Sequence, residues 1–420
     1  MLSIFGQSLE VGKGYVDGTH RTCSPEETYE KIAPVLQQVG ITRLANVTGL
    51  DRLGLPTYVA IRPNSKSLST AQGKGDTPIA AKVSAAMEAI ESWHGEAVDG
   101  PLKYASYEDL RLTERCVNPN HLPIRADAIF EVDKPILWYQ SEDLIMQEPV
   151  WAPFELIHNN FVEPEQYQSC FLKGTNGLAS GNHIAEAILH GMYEVIERDA
   201  LTMWELAGEQ RQALDMIELS QVPYPDVQSL LERLQANGVI AALWHVTSDI
   251  GIPTFTCQLI DDPGSALNRA VPSASGHGCH LDIEIAMKRA INEAIQSRVT
   301  LISGSRDDMF PVDYEAHSDI QQQQRTVKRW RENAHKLSFE KIQVIFKDTS
   351  VSDNFATDIK RVCELLQARG IDQVVVANLS KAQFDLAVVK VLIPKLEPIR
   401  TGLYRANTRA KLKFGLGGDA

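Results

Sequence analysis

The chain has 420 residues, of which 44% are hydrophobic and 23% charged, and its formal net charge is −13. That acidity opposes a sequence-independent grip on nucleic acid, no apolar run is long enough to span a bilayer, and the apolar material suffices for a core without disulfide staples. The six cysteines include no C-x-x-C pair, and Met1 to Gly6 lacks the basic and apolar regions of a signal peptide, so the sequence reads as a reduced, cytoplasmic protein with no membrane or nucleic-acid partner.

Ser24 to Pro63 reads as a helix, a stop at Gly40, a strand at Thr42–Val47, a turn and a strand at Thr57–Ile61. Leucines or other apolar residues at helical spacing bury one face, glycine ends the helix, and Val- and Ile-rich runs favour strands. Ser84 to Ser92 is then a helix with Ser84, Glu88 and Glu91 on one stripe, because positions i, i+4 and i+7 share a face. It follows Gly73-Lys74-Gly75. His190 to Arg198 repeats the pattern with His190, Glu194 and Glu197, and Glu186 lies near that stripe; it follows Gly177 to Gly181.

Pro225 to Ile260 returns to helix, Gly238 and two strands, at Ile240–Val246 and Thr254–Leu259. Arg289 to Ser297 is the third stripe, with Arg289, Glu293 and Gln296, after Gly276-His277-Gly278. Asp358 to Pro394 gives the last helix, Gly370, and strands at Val374–Ala377 and Ala387–Ile393. The basic stretch Arg405 to Lys413 reads as a solvated tail. The sequence thus divides into an N-terminal helix-strand-strand segment (1–62), a catalytic region continuous with it (63–400) and a C-terminal tail (401–420). The expected fold is α+β, with sheets from the repeated strand pairs and the Glu helices packed on them.

Acidic stripes usually face water. Three copies, two of them keeping a carboxylate pair without a lysine at i+4, point instead to a shared site. Clustered carboxylates raise each other's pKa unless a cation sits among them, and Mg²⁺ is the natural one beside phosphate. The glycine-rich entries would let backbone approach a phosphate, with Lys74 as a point charge, although none is a P-loop. Gly276-His277-Gly278-Cys279-His280 offers too few ligands for zinc and reads best as a packed loop rather than as a nucleophile site.

At these residues the sequence resembles the YcaO family, from about Lys13 to Pro398. The resemblance rests on Gln72-Gly73-Lys74-Gly75-x-Thr77 leading to Ser84-x-x-x-Glu88-x-x-Glu91, on Asn176-Gly177-Leu178-Ala179-Ser180-Gly181-Asn182 leading through Glu186 to Glu194-x-x-Glu197-Arg198-Asp199, and on Arg289-Ala290-x-x-Glu293-Ala294-x-Gln296-Ser297-Arg298. It implies a fold whose helices bind ATP and Mg²⁺, and a reaction that phosphorylates a peptide-bond oxygen while a nucleophile attacks the same carbon, giving an azoline, amidine or thioamide in a ribosomally made peptide. It implies nucleotide or Mg²⁺ contacts at Ser84, Glu88, Glu91, Asn182, Glu186, Glu194, Glu197 and Arg198, with Glu88, Glu91, Glu186 and Glu197 as metal ligands. Lys13, Arg298 and Arg306 would serve the phosphates, the last being equally readable as a surface ion pair; Lys74, Glu293 and Gln296 complete the nucleotide set. A homodimer and a TfuA-like or leader-binding partner are also implied.

Two departures stand out. Ser92 follows Glu91 where the family often has arginine, and the chain ends Phe414-Gly415-Leu416-Gly417-Gly418-Asp419-Ala420 where azoline-forming members often carry a Pro-x-Pro-x-Pro tail. The latter favours thioamide formation slightly. The competing readings are an ATP-binding regulatory or scaffold subunit of a modifying complex, without its own chemistry, and an unrelated acid-amine ligase.

Overall fold

The computed structural model describes residues 2–162, 169–269, 271–311, 314 and 319–416. Met1 and Gly417 to Ala420, which entered the sequence reading, lie outside the described residues. Two short strands, β1 (Ser3–Ile4) and β2 (Gln7–Ser8), open the chain. α1 (Pro25–Ile32) starts at a reciprocal cap: the Ser24 hydroxyl accepts the Glu27 N–H, and the Glu27 carboxylate accepts the Ser24 N–H. After Gly40, left-handed at φ +77°, β3 (Arg43–Asn46) and β4 (Thr57–Ile61) pair antiparallel as expected. β5 (Thr70–Lys74) adds a third strand, and α2 (Pro78–Glu96) packs on this sheet. The 62/63 boundary therefore falls between two paired strands.

The middle of the chain supplies β6 (Leu102–Ala105), α3 (Tyr107–Thr113), β7 (Ile136–Asp143), β8 (Glu148–Pro153), β9 (Leu178–Gly181), α4 (Ile184–Leu206) and α5 (Glu209–Asp215). A second unit follows: α6 (Pro225–Ala236), the antiparallel sheet of β10 (Val239–His245), β11 (Thr254–Asp261) and β12 (Ala274–Cys279), and α7 (Ile283–Ser303) on top. α8 (Ile320–Glu332) and α9 (Phe339–Ile345) precede α10 (Phe355–Gln367), β13 (Val375–Asn378), β14 (Ala387–Leu392) and α11 (Thr408–Phe414). The larger sheet runs β6-β7-β13-β14-β9, with β8 also on β7.

The third unit is assembled from distant pieces. The β13–β14 hairpin pairs with β9, Ala387 opposite Gly181 and Lys390 opposite Leu178, so the helix laid on it is α4 from far earlier in the chain. Each Glu helix thus enters from the end strand of an antiparallel sheet: β5, β9 or β12. This corrects the expectation of glycine loops: Gly73 and Lys74, Leu178 to Gly181 and Gly276 to Cys279 are strand residues, with Gly75 just past the end of β5. Their glycines are required by helix-on-strand packing, not by phosphate. A Cβ on Gly73 would lie 2.0 Å from the Ala85 nitrogen and 2.4 Å from the Ala81 oxygen, and one on Gly278 would lie 2.7 Å from the Ala290 nitrogen and 2.1 Å from the Ala286 oxygen. Gly75 and Gly181 stand likewise against the nitrogens of Ala81 and Ala187, at 2.7 and 2.9 Å. Gly276 repeats the contact one turn further along α7, 2.1 Å from the Ala294 nitrogen and 2.5 Å from the Ala290 oxygen; within this shared packing the repeated helix pattern sets Ser84, His190 and Arg289 at corresponding positions.

The core follows the helices. Ile188, Met192 and Ile196 of α4 pack with Ile359, Val362 and Leu366 of α10 and with Val389 and Val391 of β14, each fully buried aliphatic contributing about 1.5–3 kcal/mol. Ile291 and Ile295 of α7 pack with Phe255, Cys257 and Leu259 of β11. The basic C-terminal stretch is not a solvated tail: α11 docks, Ala410 is fully buried, and the Arg409 guanidinium bonds Asp199 of α4 and Asp249 beyond β10. Those partners are distant in sequence, which is why charge composition alone misplaces it. Among the described residues no helix is long and apolar enough to cross a membrane.

Candidate active site

The inner ends of α2, α4 and α7 meet at a cavity of about 1000 Å³. Ser84, Glu88 and Glu91 reach it from α2, Glu186, Glu194, Glu197 and Arg198 from α4, and Glu293 and Gln296 from α7; Lys74, Asn182 and Arg306 complete the wall. The three stripes therefore do converge, since one face of each helix is spent on its own sheet and the opposite face is left for the centre.

Two sequence-predicted residues are not there. The Lys13 amine is buried away from the wall, donating to Asp358 Oδ2 at 2.6 Å and paired with His20 Nδ1 at 2.9 Å. Arg298 is 1% exposed and lies against Asp51 at 3.0 Å and Asp261 at 2.8 Å. Its displacement has a simple cause: two residues beyond Gln296 is about 200° around the helix, so Arg298 points into the packing of α7 on β11. Arg306 does reach the wall, and it is ion-paired with Asp308 as well.

The wall is electrostatically two-sided. Lys74 Nζ donates to Glu293 Oε2 at 3.2 Å and to Gln296 Oε1 at 2.8 Å. Burial opposes ionisation of Glu293, yet Lys74 and Arg198 hold it down to about 2. On the other side burial dominates. It raises Glu88 to about 7 against the pull of Lys74, and raises Glu197 to about 7 against Arg198, 3.5 Å away. Glu91 goes well above its usual range through burial, then Glu194 and Glu88, and Glu194 is raised by burial despite Arg198 and Lys390. Glu88 keeps open surface, and the residue lines the cavity. Glu186 is better satisfied: its Oε2 accepts the Thr22 N–H at 3.0 Å and hydroxyl at 2.8 Å. Asn182 donates to Thr28 Oγ1 at 2.9 Å, leaving its own Oδ1 without a partner.

Among the described residues no group of three or more His, Cys, Asp or Glu stands close enough together to hold a metal ion by itself. The carboxylates are spread over the cavity wall. An all-oxygen, under-neutralised wall of this kind fits Mg²⁺, which takes one or two carboxylates and completes its shell with water and phosphate. Cys279 is not a nucleophile candidate, because complete burial pushes its thiol far up and keeps it protonated.

Four participants were not assigned from sequence. Arg21 faces Glu186 at 3.6 Å and lines the cavity, with no local signal to find it. His190 and Arg289 stood in the stripes without a role. Lys390, on β14, is buried with its pKa lowered to about 8 by burial, which Glu194 and Glu91 partly offset. A lysine inside the apolar run Ala387-Val388-Val389-Lys390-Val391-Leu392 was the available sign.

Residues 72–397 match the family described as YcaO cyclodehydratase, ATP- and Mg²⁺-binding. The chain belongs to the YcaO family. ATP and Mg²⁺ are the cofactors of that family. An uncharacterised protein from the tfuA 3′ region of Rhizobium leguminosarum bv. trifolii is 33% identical over 410 residues, covering 96% of this chain and 94% of its own. An uncharacterised protein of Methanothermobacter thermautotrophicus is 31% identical over 392 residues, covering 92% and 97%. Among solved structures, YcaO from Methanopyrus kandleri bound with AMPPCP and Mg²⁺ shares the fold at TM-score 0.71 and 21% identity, covering 93% of this chain and 95% of that one. A heterocyclase in complex with substrate and cofactor gives TM-score 0.74 at 22% identity; 99% of this chain is covered, but only 57% of the heterocyclase.

Proposed function

We propose that this YcaO protein uses ATP and Mg²⁺ to phosphorylate a backbone amide oxygen of a ribosomally made peptide, giving a thioamide or an azoline. The observation that carries the reading is the two-sided cavity: under-neutralised carboxylates from α2 and α4 face Lys74, Arg198 and Arg306. Glu88, Glu91, Glu186 and Glu197 would hold Mg²⁺, with Glu194 beside them. Ser84, Asn182, Lys74, Arg198, Glu293, Gln296 and Arg306 would hold the nucleotide, whereas Lys13 and Arg298 act as buried braces. When bound, ATP supplies the phosphoryl group that makes the amide oxygen a leaving group, and Mg²⁺ supplies counter-charge. The chain's own residues orient both and keep water from the reacting carbon. That a close relative is encoded beside tfuA supports a TfuA-like partner, and with it thioamide formation.

The test is mass spectrometry of peptides encoded beside this gene, incubated with the protein, ATP and Mg²⁺, with and without sulfide and a TfuA-like protein. Oxygen exchanged for sulfur identifies a thioamide, and loss of one water an azoline. No mass change in any neighbouring peptide, together with no peptide-dependent ATP hydrolysis, refutes the reading.

A further inference from the structure

His190 opens the second Glu stripe, and neither nucleotide nor Mg²⁺ contacts account for it. It lies on α4 one turn before Glu194, in the cavity wall. Arg289, at the equivalent position of α7, donates from Nη2 to His190 Nδ1 at 2.8 Å and from Nη1 to the Cys279 carbonyl at 3.1 Å. A guanidinium offers donors only. His190 Nδ1 must therefore present its lone pair, and an imidazolium, with protons on both nitrogens, is incompatible with the contact. The ring is neutral and its one proton sits on Nε2. Burial, with Arg289, Arg21 and Lys74 adding to it, acts in the same direction by moving the imidazole pKa well below its usual value.

Nε2 bonds no protein group among the described residues, yet it is not sealed in the core. The helix pair α4–α7 thus holds a single N–H, of fixed tautomer and no net charge, facing the space where the carboxylates and basic residues meet. Neutral imidazoles kept from protonation serve as hydrogen-bond donors to oxygens that gather charge during reaction.

We propose that His190 is a catalytic hydrogen-bond donor whose Nε2–H binds the substrate amide oxygen while a nucleophile adds to the amide carbon. This rests on the peptide-modifying reading above. As the nucleophile's electron pair forms the new bond, the C–O π pair moves onto oxygen. His190 stabilises that charge and keeps its own proton, because losing it would leave an imidazolate. Arg289 is the positioning residue that fixes the tautomer.

The first arm of the test needs no substrate. Histidine ¹⁵N spectra of the full chain, with His190→Gln identifying the resonances, should show a neutral His190 protonated at Nε2 at neutral pH; protonation at Nδ1, or at both nitrogens, overturns the inference. In the second arm His190→Leu should lower peptide-dependent kcat about 100-fold while calorimetric affinity for Mg-ATP stays unchanged. His190→Gln, which keeps an N–H donor and an acceptor for Arg289, should recover part of the rate. Weakened Mg-ATP binding with kcat retained would place the donor on a phosphate and overturn the proposal, as would full activity of His190→Leu. A wild-type protein that modifies no peptide refutes the functional reading, and the catalytic role with it, even where the expected tautomer is found.

Discussion

α4 and α7 carry the same stripe on the same kind of sheet, yet they bring opposite chemistry to the cavity. Glu197 on α4 is pushed up to about 7 by burial, with Arg198 its near cation. Glu293 on α7, more open with its side chain 28% exposed against 11% for Glu197, is held down to about 2 because Lys74 of the neighbouring unit bonds it directly and Arg198 adds to it. Spacing along a helix decides which residues meet, and the neighbouring unit decides their charge. In this protein a repeated motif became an asymmetric site without altering its backbone frame.

The largest expected effect breaks the acidic side. Glu88→Gln or Glu197→Gln should lower peptide-dependent ATP hydrolysis by about 1000-fold, with circular dichroism unchanged, whereas Glu293→Gln should cost about tenfold. Unchanged turnover in both of the first two variants would remove the site assignment. Next come the two arginines, one lining the cavity and one braced behind it. Arg298→Met leaves Asp51 buried without its ion-pair partner and strips one of two arginines from Asp261, which Arg52 still holds, so denaturant melts should show a loss of about 3–5 kcal/mol. Arg198→Met should keep the native midpoint and lose nucleotide affinity. The reverse result would return Arg298 to the phosphates.

Lys74→Met tests what separates Glu293 from Glu197. It should weaken Mg-ATP binding about tenfold, or about 1.4 kcal/mol, by calorimetry, and let the Glu293 carboxyl titrate nearer the ordinary range. The smallest effect is on stability against pH. Glu88 and Glu197 ionise near 7 in the folded protein against an ordinary 4.5, so the folded state holds protons that the unfolded chain releases. Their stabilising contribution is complete below about 4.5 and is lost as pH rises towards about 7. Buried histidines such as His94 and His245, lowered to about 4, act in the opposite direction in the same window, so the comparison is with the variant: the Tm of the Mg²⁺-free wild type should fall relative to that of Glu197→Gln as pH rises across it. A Tm difference between the two proteins that does not change with pH there would contradict the raised carboxyl of Glu197.

Much of this was legible in the sequence because it is local. Helical stripes and Val-rich strand pairs announce themselves through period, and Ser84-Glu88-Glu91 and Glu194-Glu197 faced the cavity as their spacing required. Gly73-Lys74-Gly75 misled because glycine signals both a loop and a strand under a close helix, and only the Ala81 and Ala85 backbone distinguishes them. Arg298 and Lys13 misled because their acidic partners, Asp51, Asp261 and Asp358, lie far off in the chain. Arg21 and the Arg409–Asp199 contact were hidden for the same reason.

The way β9 and α4 are completed has a consequence for how the chain matures. During synthesis the first and second units can close as soon as their own strands leave the ribosome. β9 must wait for β14, some two hundred residues later by the paired positions Gly181 and Ala387, and contacts of such long separation form slowly. α4 therefore gains its last supporting strand only once residues 387–392 have emerged. A nascent or truncated chain lacking residues 375–392 would carry the motifs of all three Glu helices while its cavity stayed unfinished, so possession of the motifs and possession of the site are separate events in the life of this protein.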